Sequence, residues 1–362
     1  MFARSLRRSV FASAVAAALS MLCSSSAQAQ TTYNWNLNAA GTWDTSTTNW
    51  LQGGVAASWV NGNNIAVFGN VISANRAIAV AAGGVTAGQI TFDKTGTFTY
   101  TVGTAANNIT LNNGGSDAAI NVNRGVIGTA TYSGTGGNTI TGSNITFNNN
   151  LNIINNGAFG TTNLTIAGAV DRSAAGGGIV FSGQGNTAIS GAIGANVTTG
   201  LMQNGTGTTI LSSPSNLFTG GVTINNGVFG IQSNDAMLGA AANAVNINNG
   251  GTFRFNGTVT SGRAFNISGN AGIDLATAVV GTLSGNTAST GLVGNGTLKI
   301  TLTGGTTAGF LSVEGAQTGF TGSVIVGAQG AELVGSVLSQ RIFSSSNVRH
   351  TATAKCRNAI WC

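Results

Sequence analysis

The chain has 362 residues, 56 of them glycine and one proline, and only 6 % are charged, where globular proteins average about 25 %. So few charges cannot supply the polar faces of amphipathic helices, and 42 % hydrophobic content excludes ordinary disorder. The formal net charge of +6 does not mark a nucleic-acid or anionic-membrane binder, because the excess sits at the two ends. Arg4, Arg7 and Arg8 lie before residue 30, and Arg341, Arg349, Lys355 and Arg357 lie after residue 340. The body between holds seven basic and eight acidic residues, with no cysteine or histidine; Cys23 is at the front, and Cys356, Cys362 and His350 are in the tail.

In chain order, the three arginines are followed by an apolar run, Val10 to Cys23, and then by Ala27-Gln28-Ala29. This is the layout of a cleaved secretory signal over residues 1–29, with the cut after Ala29. The run is shorter than the ~20 residues that span a bilayer, and no later segment is long and apolar enough, so no transmembrane segment is expected in the mature chain. A body without cysteine implies stability independent of disulfides.

Residues 30–60 carry Trp35, Trp43, Trp50 and Trp59, the only tryptophans before the tail. Two readings apply to them. They can cover the open core at the end of a repeat array, or they can stack on sugar rings as glycan contacts.

From residue 61 to 335 the chain alternates short strand patterns with Gly/Asn turns. Ile90-Thr91-Phe92, Phe98 to Val102, Ile120-Asn121-Val122, Ile145-Thr146-Phe147, Leu164-Thr165-Ile166, Val245-Asn246-Ile247, Phe253-Arg254-Phe255 and Leu298 to Leu302 place apolar residues two apart with a polar one between. Asn112 to Gly115, Asn155 to Gly157, Asn225 to Gly227 and Asn248 to Gly251 supply turns tolerant of positive φ. An antiparallel sandwich or barrel fits this pattern, and so does a solenoid. The solenoid is favoured because the outward positions are Thr, Asn and Ser, whose side chains hydrogen-bond along a stack, and because charged outer faces are missing. Rungs of ~20 residues predict about 14 coils.

One stretch repeats itself: Gly200-Leu201, Asn204-Gly205-Thr206 and Phe218-Thr219-Gly220 return as Gly291-Leu292, Asn295-Gly296-Thr297 and Phe320-Thr321-Gly322. Gly200 to Ile231 reads GLMQNGTGTTILSSPSNLFTGGVTINNGVFGI and resembles the autotransporter-associated β-strand repeat, also called the passenger-associated transport repeat. The matching positions are Gly200, Leu201, Gly205, Gly207, Thr208, Leu211, Asn216, Phe218, Thr219, Gly220, Gly221, Thr223, Ile224 and Gly227. Gln203 stands where the pattern has Lys, Thr209 where it has Leu and Phe218 where it has Tyr, with one extra residue near Pro214. Tyr33-Asn34-Trp35, Gly41 to Asp44, Asn49-Trp50 and Ala66 to Gly69 are similar to the start of such proteins. The resemblance implies an all-β, right-handed parallel β-helix passenger at or released from a bacterial surface, with repeats that assist export and folding and have no catalytic role. Nothing after residue 335 reads as the membrane β-barrel of a full autotransporter, and a Pro-Glu-Pro sorting tail is missing.

Residues 336–362 change composition abruptly. Their glycines vanish, and they read either as an atypical disordered end or as a basic, disulfide-forming tail through Cys356 and Cys362.

The residues for most chemistries are absent. With His350 the only histidine, nucleophile–histidine catalysis and zinc sites lack their parts, and no calcium or phosphate-loop motif is present. Glu314 and Glu332, 18 residues apart, are the candidate carboxylate pair for a carbohydrate-active β-helix enzyme, with Asp93 and Asp117 a poorer one. The reading is therefore an exported, non-enzymatic structural or adhesive β-helix without a cofactor. Its expected partners are secretion machinery and glycans or other surfaces, with no nucleic acid. The alternatives are a carbohydrate-active enzyme and a glycan-binding module.

Overall fold

A computed structural model describes residues 29–335, apart from 70, 95–97, 105–106, 124–125, 128–129, 132–136, 158–161, 286–289, 304–308, 315–316 and 327–330, together with Val348–His350 and Lys355–Arg357. The expected signal up to residue 28 lies outside the described residues. The chain divides into a unit Met1–Gln30 and a unit Thr31–Cys362; the second is an all-β solenoid. A single 3-10 turn, Asp235–Leu238, is the only helical element among the described residues.

Two ladders of 13 strands each form the main walls of the unit. The first passes from Thr32–Trp35 through Ile65–Phe68, Gln89–Phe92, Ala118–Val122 and Leu151–Asn155, and on to Gly291–Gly294, each strand parallel to its predecessor. The second starts at Gly41–Trp43 and Arg76–Val80 and includes Thr208–Leu211, Gly227–Ile231, Gly251–Phe255 and Asn270–Ala276. A third wall has four strands at one end, Val85–Ala87 to Val170–Arg172, and five at the other, beginning with Val259–Ser261. This is a parallel β-helix, the fold class expected from the Gly/Asn-punctuated strand pattern.

Alternation produces the core. In Ile109–Leu111, Ile145–Phe147, Val222–Ile224 and Val245–Ile247 the outer residues are buried and the middle Thr or Asn faces out. Parallel register then stacks like on like: Ile224 lies beside Ile247 and Ile247 beside Ile267, while Phe229 lies beside Phe253 and Phe253 beside Ile273. Each such buried side chain contributes about 1.5–3 kcal/mol. Outside, Asn225 donates to Asn204 at 2.7 Å and accepts from Asn248 at 2.6 Å, and Asn266 donates to Asn246 at 2.7 Å. These amide ladders are the reason a charge-poor exterior suits this fold.

The coil length varies more than a ~20-residue rung implies. Leu211 pairs with Ile231, 20 residues on, but Val102 reaches its neighbour Ile140 only after 38. Within that longer step an antiparallel pair, Val126–Ile127 with Ala130–Thr131, stands outside the ladders. Phe98, placed by alternation in a strand, lies before Tyr100–Val102 and is 40 % exposed.

At the first ladder's start, Trp50–Gln52 pairs antiparallel with Thr32–Trp35, and Val55–Ala57 turns back on it. The two-residue turn Gly53-Gly54 has φ of +58° and +85°, the backbone that a tight hairpin of this kind requires. Reversing direction ends the parallel stacking edge. In the tail, Val348–His350 pairs with Ser323–Val326 and Lys355–Arg357 with Ala331–Gly335. The remainder of residues 336–362, with Cys362, lies outside the described residues.

Candidate functional site

The four tryptophans form one buried cluster. Trp43 and Trp50 are 0 % exposed, Trp59 1 % and Trp35 2 %. Trp35 meets Trp50 edge-on at 5.1 Å, Trp43 meets Trp59 at 5.1 Å, and Phe68 packs against Trp35, Trp43 and Trp50. Gly41 makes room for this, since a Cβ there would lie 2.8 Å from the Trp35 ring. Trp35 Nε1 donates to Leu37 O and Trp59 Nε1 to Asn61 Oδ1, both at 3.1 Å, whereas Trp43 and Trp50 bury Nε1 without an acceptor. No ring face is open to a sugar, so these residues are core and not a stacking platform.

The backbone register sets the two candidate glutamates at different levels of the third wall. Glu314 follows Gly309–Val313, whose Phe310 lies opposite Glu332, so the two positions differ by four residues along the wall. That is about 13 Å of strand between the two backbone positions. Asp93 follows Gln89–Phe92, while Asp117 precedes Ala118–Val122 at the other end of the paired strands. Among the described residues no three His, Cys, Asp or Glu side chains group to hold a metal ion.

The remaining acids are tied into the scaffold. Asp274 accepts from Arg254 Nε at 2.6 Å, one coil earlier, and from Thr301 and Thr303 hydroxyls at 2.7 and 3.0 Å, one coil later. Arg263, 5 % exposed, donates to both Asp235 carboxylate oxygens at 3.0 and 2.9 Å, and to the carbonyls of Ala240, Asn243 and Gly239, clamping the loop after the 3-10 turn. Partial burial pushes the Asp44 carboxyl up, but the Thr47 and Ser46 donors outweigh it and hold Asp44 below its ordinary value. Sequence reasoning missed both arginine networks. Arg254 and Asp274 are 20 residues apart, so pairing opposite charges at the coil period would have found them.

The repeat motif has a clear structural role. A Cβ on Gly200, Gly205, Gly207, Gly220, Gly221 or Gly227 would lie 2.2–2.6 Å from a backbone carbonyl of an adjacent coil. Leu201, Leu211, Phe218 and Ile224 fill the core. Asn216, 5 % exposed, accepts from Ile193 N at 2.8 Å and donates to Met237 O at 2.7 Å, so one side chain joins the coils before and after its own. Thr208 N donates to the Asn186 side-chain oxygen at 3.1 Å, Thr223 faces out from Val222–Ile224, and exposed Thr219 donates its N–H to Val197 O at 3.0 Å. The second copy behaves alike: a Cβ on Gly296 would lie 2.5 Å from Gly269 O, and Phe320 is 4 % exposed.

The surface offers an open groove of about 510 Å³ along the corner after the first ladder, lined by Asn156, Gln184, Asn204 and Thr206 over Gly183 and Gly205. A smaller one, about 270 Å³, crosses the outer face of the second ladder beside Thr252, Asn270, Thr297 and Lys299. Both are neutral or weakly cationic troughs with hydroxyl and amide walls. Fold and surface together define a parallel β-solenoid stacked through a glycine-rich repeat. No protein-family profile, curated protein or solved structure matches the chain.

Proposed function

We propose that the protein is the exported β-helix passenger of an autotransporter-like system, non-enzymatic, and structural or adhesive at a bacterial cell surface. The observation behind this reading is the motif Gly200 to Ile231: its resemblance is to a passenger repeat, and each of its matching glycines sits against the backbone of a neighbouring coil. A chain whose repeats specify rung-on-rung addition can fold progressively as it emerges outside the cytoplasm, without disulfides. Adhesive contact belongs to the outer surface, where amide side chains such as Asn156 and Gln184 line the corner groove and suit hydroxylated ligands.

Expression of the full chain in a two-membrane bacterium, followed by fractionation and N-terminal sequencing, tests the export half. The expected product begins at Gln30 outside the cytoplasm, and an uncut chain held in the cytoplasm overturns the reading. Glycan arrays probed with the mature protein and with an Asn156→Ala, Gln184→Ala double variant test the adhesive half. Binding lost in the variant supports the groove, and binding equal in both removes it.

A further inference from the structure

The chain holds eight Asn-Gly pairs, at Asn61, Asn113, Asn156, Asn204, Asn226, Asn249, Asn256 and Asn295. In such a pair the glycine nitrogen can attack the preceding side-chain carbonyl carbon, because no β-carbon obstructs it. Folding decides which of them can. Gly62, Gly205, Gly250 and Gly296 commit their N–H to carbonyls of neighbouring coils, those of Thr86, Phe181, Asn270 and Ile267. Gly114 and Gly157 donate instead to the side chains of Asn112 and Asn155, each two residues back. At Asn226 the arrangement differs: Gly227 N lies 2.8 Å from Oδ1 of Asn226 itself. The nucleophile is therefore held beside the side-chain amide whose Cγ it would attack, and not on a neighbouring coil. Asn226 is exposed, so water reaches it. Half-buried Asn256 is the competitor, with Gly257 pressed so closely to Gln232 O that a Cβ would lie 2.3 Å from it.

We infer that Asn226-Gly227 is a site of spontaneous covalent modification, at which Asn226 deamidates through a cyclic imide in the folded protein ahead of the other Asn-Gly pairs. Gly227 N loses its proton to solvent base and bonds to Asn226 Cγ, and the side-chain nitrogen leaves as ammonia. Water then opens the five-membered imide at either carbonyl, giving an aspartyl or an isoaspartyl linkage. The net change is amide plus water to carboxylic acid plus ammonia, with no oxidant or reductant. The linkage lies in the turn from Val222–Ile224 to Gly227–Ile231, and a Cβ at Gly227 would already be 2.4 Å from Gly205 O. The extra backbone carbon of an isoaspartyl residue therefore falls where the coils are closest, and loosens their stacking.

The test is peptide mapping by mass spectrometry of the folded full-length chain aged in mildly alkaline buffer, beside the same chain aged in urea. In the folded protein the Asn226 peptide gains the acid faster than any other Asn-Gly peptide. In urea that lead disappears. A different pair reacting first in the folded chain overturns the inference, and so does an Asn226 lead that persists in urea. Asn226→Gln keeps an amide but enlarges the ring that attack must close. It removes the fast phase of ammonia release from folded protein, and survival of that phase also overturns the assignment.

Discussion

Thr209 Oγ1 donates to Gln203 Oε1 at 2.8 Å inside the solenoid, with both residues only 2 % exposed. These are two of the positions at which the repeat departs from the pattern it resembles, and each departure is the other's partner. Gln203 Nε2 turns to the carbonyls of Gly205 and Gly207, at 3.0 and 3.2 Å, so the amide is satisfied at both ends. A polar pair thus occupies these two core positions without leaving a buried group unpaired.

Thr209→Val preserves the shape and removes the donor, stranding Gln203 Oε1 in the core. The expected loss of stability is about 1–3 kcal/mol, the penalty for an unsatisfied buried polar group. Chemical denaturation measures it, and a loss too small to resolve would show that Gln203 re-pairs or that water enters.

Gly205 and Gly53 separate two reasons for glycine. At Gly53 φ is +58° and a Cβ would meet nothing within 4 Å, so Gly53→Ala carries only the left-handed backbone penalty of about 1–2 kcal/mol. At Gly205 a Cβ would stand 2.2 Å from Gly183 O, and Gly205→Ala must push neighbouring coils apart, at or above the ~3 kcal/mol reached by overpacking. Thermal unfolding of the two variants should rank them in that order. Equal shifts would mean that coil spacing gives way freely.

The fold was legible because two periodicities were visible at once: two-residue alternation within segments such as Ile145-Thr146-Phe147, and Gly/Asn turns between them. Coil length was not, because nothing local distinguishes a corner turn from an inserted loop, as the 38-residue step from Val102 to Ile140 shows. The tryptophans were ambiguous for a related reason. Trp35, Trp43 and Trp50 occupy inward positions of short strands, and only the tertiary register shows that Trp35 sits opposite Trp50. The arginine networks were hidden because partners 20 and 28 residues apart become neighbours only once the coil is wound.

The tryptophan cluster gives a direct optical test of that burial. In a Trp361→Phe background, which leaves the four clustered indoles, emission is expected to be blue-shifted and nearly insensitive to iodide or acrylamide. Trp59→Phe also removes the 3.1 Å bond to Asn61 Oδ1 and is expected to destabilise more than Trp43→Phe, whose indole N–H has no acceptor to lose. Strong quenching in the folded state would reopen these rings as ligand contacts.

Stability should rise and then fall with pH on the alkaline side, for two buried groups with opposite signs. Burial lowers the Lys94 ammonium from 10.5 to about 8, its Nζ donating to Phe98 O within a side chain only 8 % exposed. Between about 8 and 10.5 the unfolded chain keeps a proton that the folded chain has released, so stability increases with pH across that window. Tyr100 works in reverse. Burial raises its phenol, despite the opposing pull of Arg76, and its hydroxyl donates to Gly69 O at 2.9 Å. Above its ordinary value of 10.0 the unfolded chain loses a proton that the folded chain retains, and stability falls. Denaturant midpoints taken through the alkaline range should therefore pass through a maximum near the junction of the two windows. Lys94→Met flattens the rising limb and raises the midpoint at neutral pH, while Tyr100→Phe weakens the falling limb. A rising limb unchanged in Lys94→Met would assign the proton release to another group.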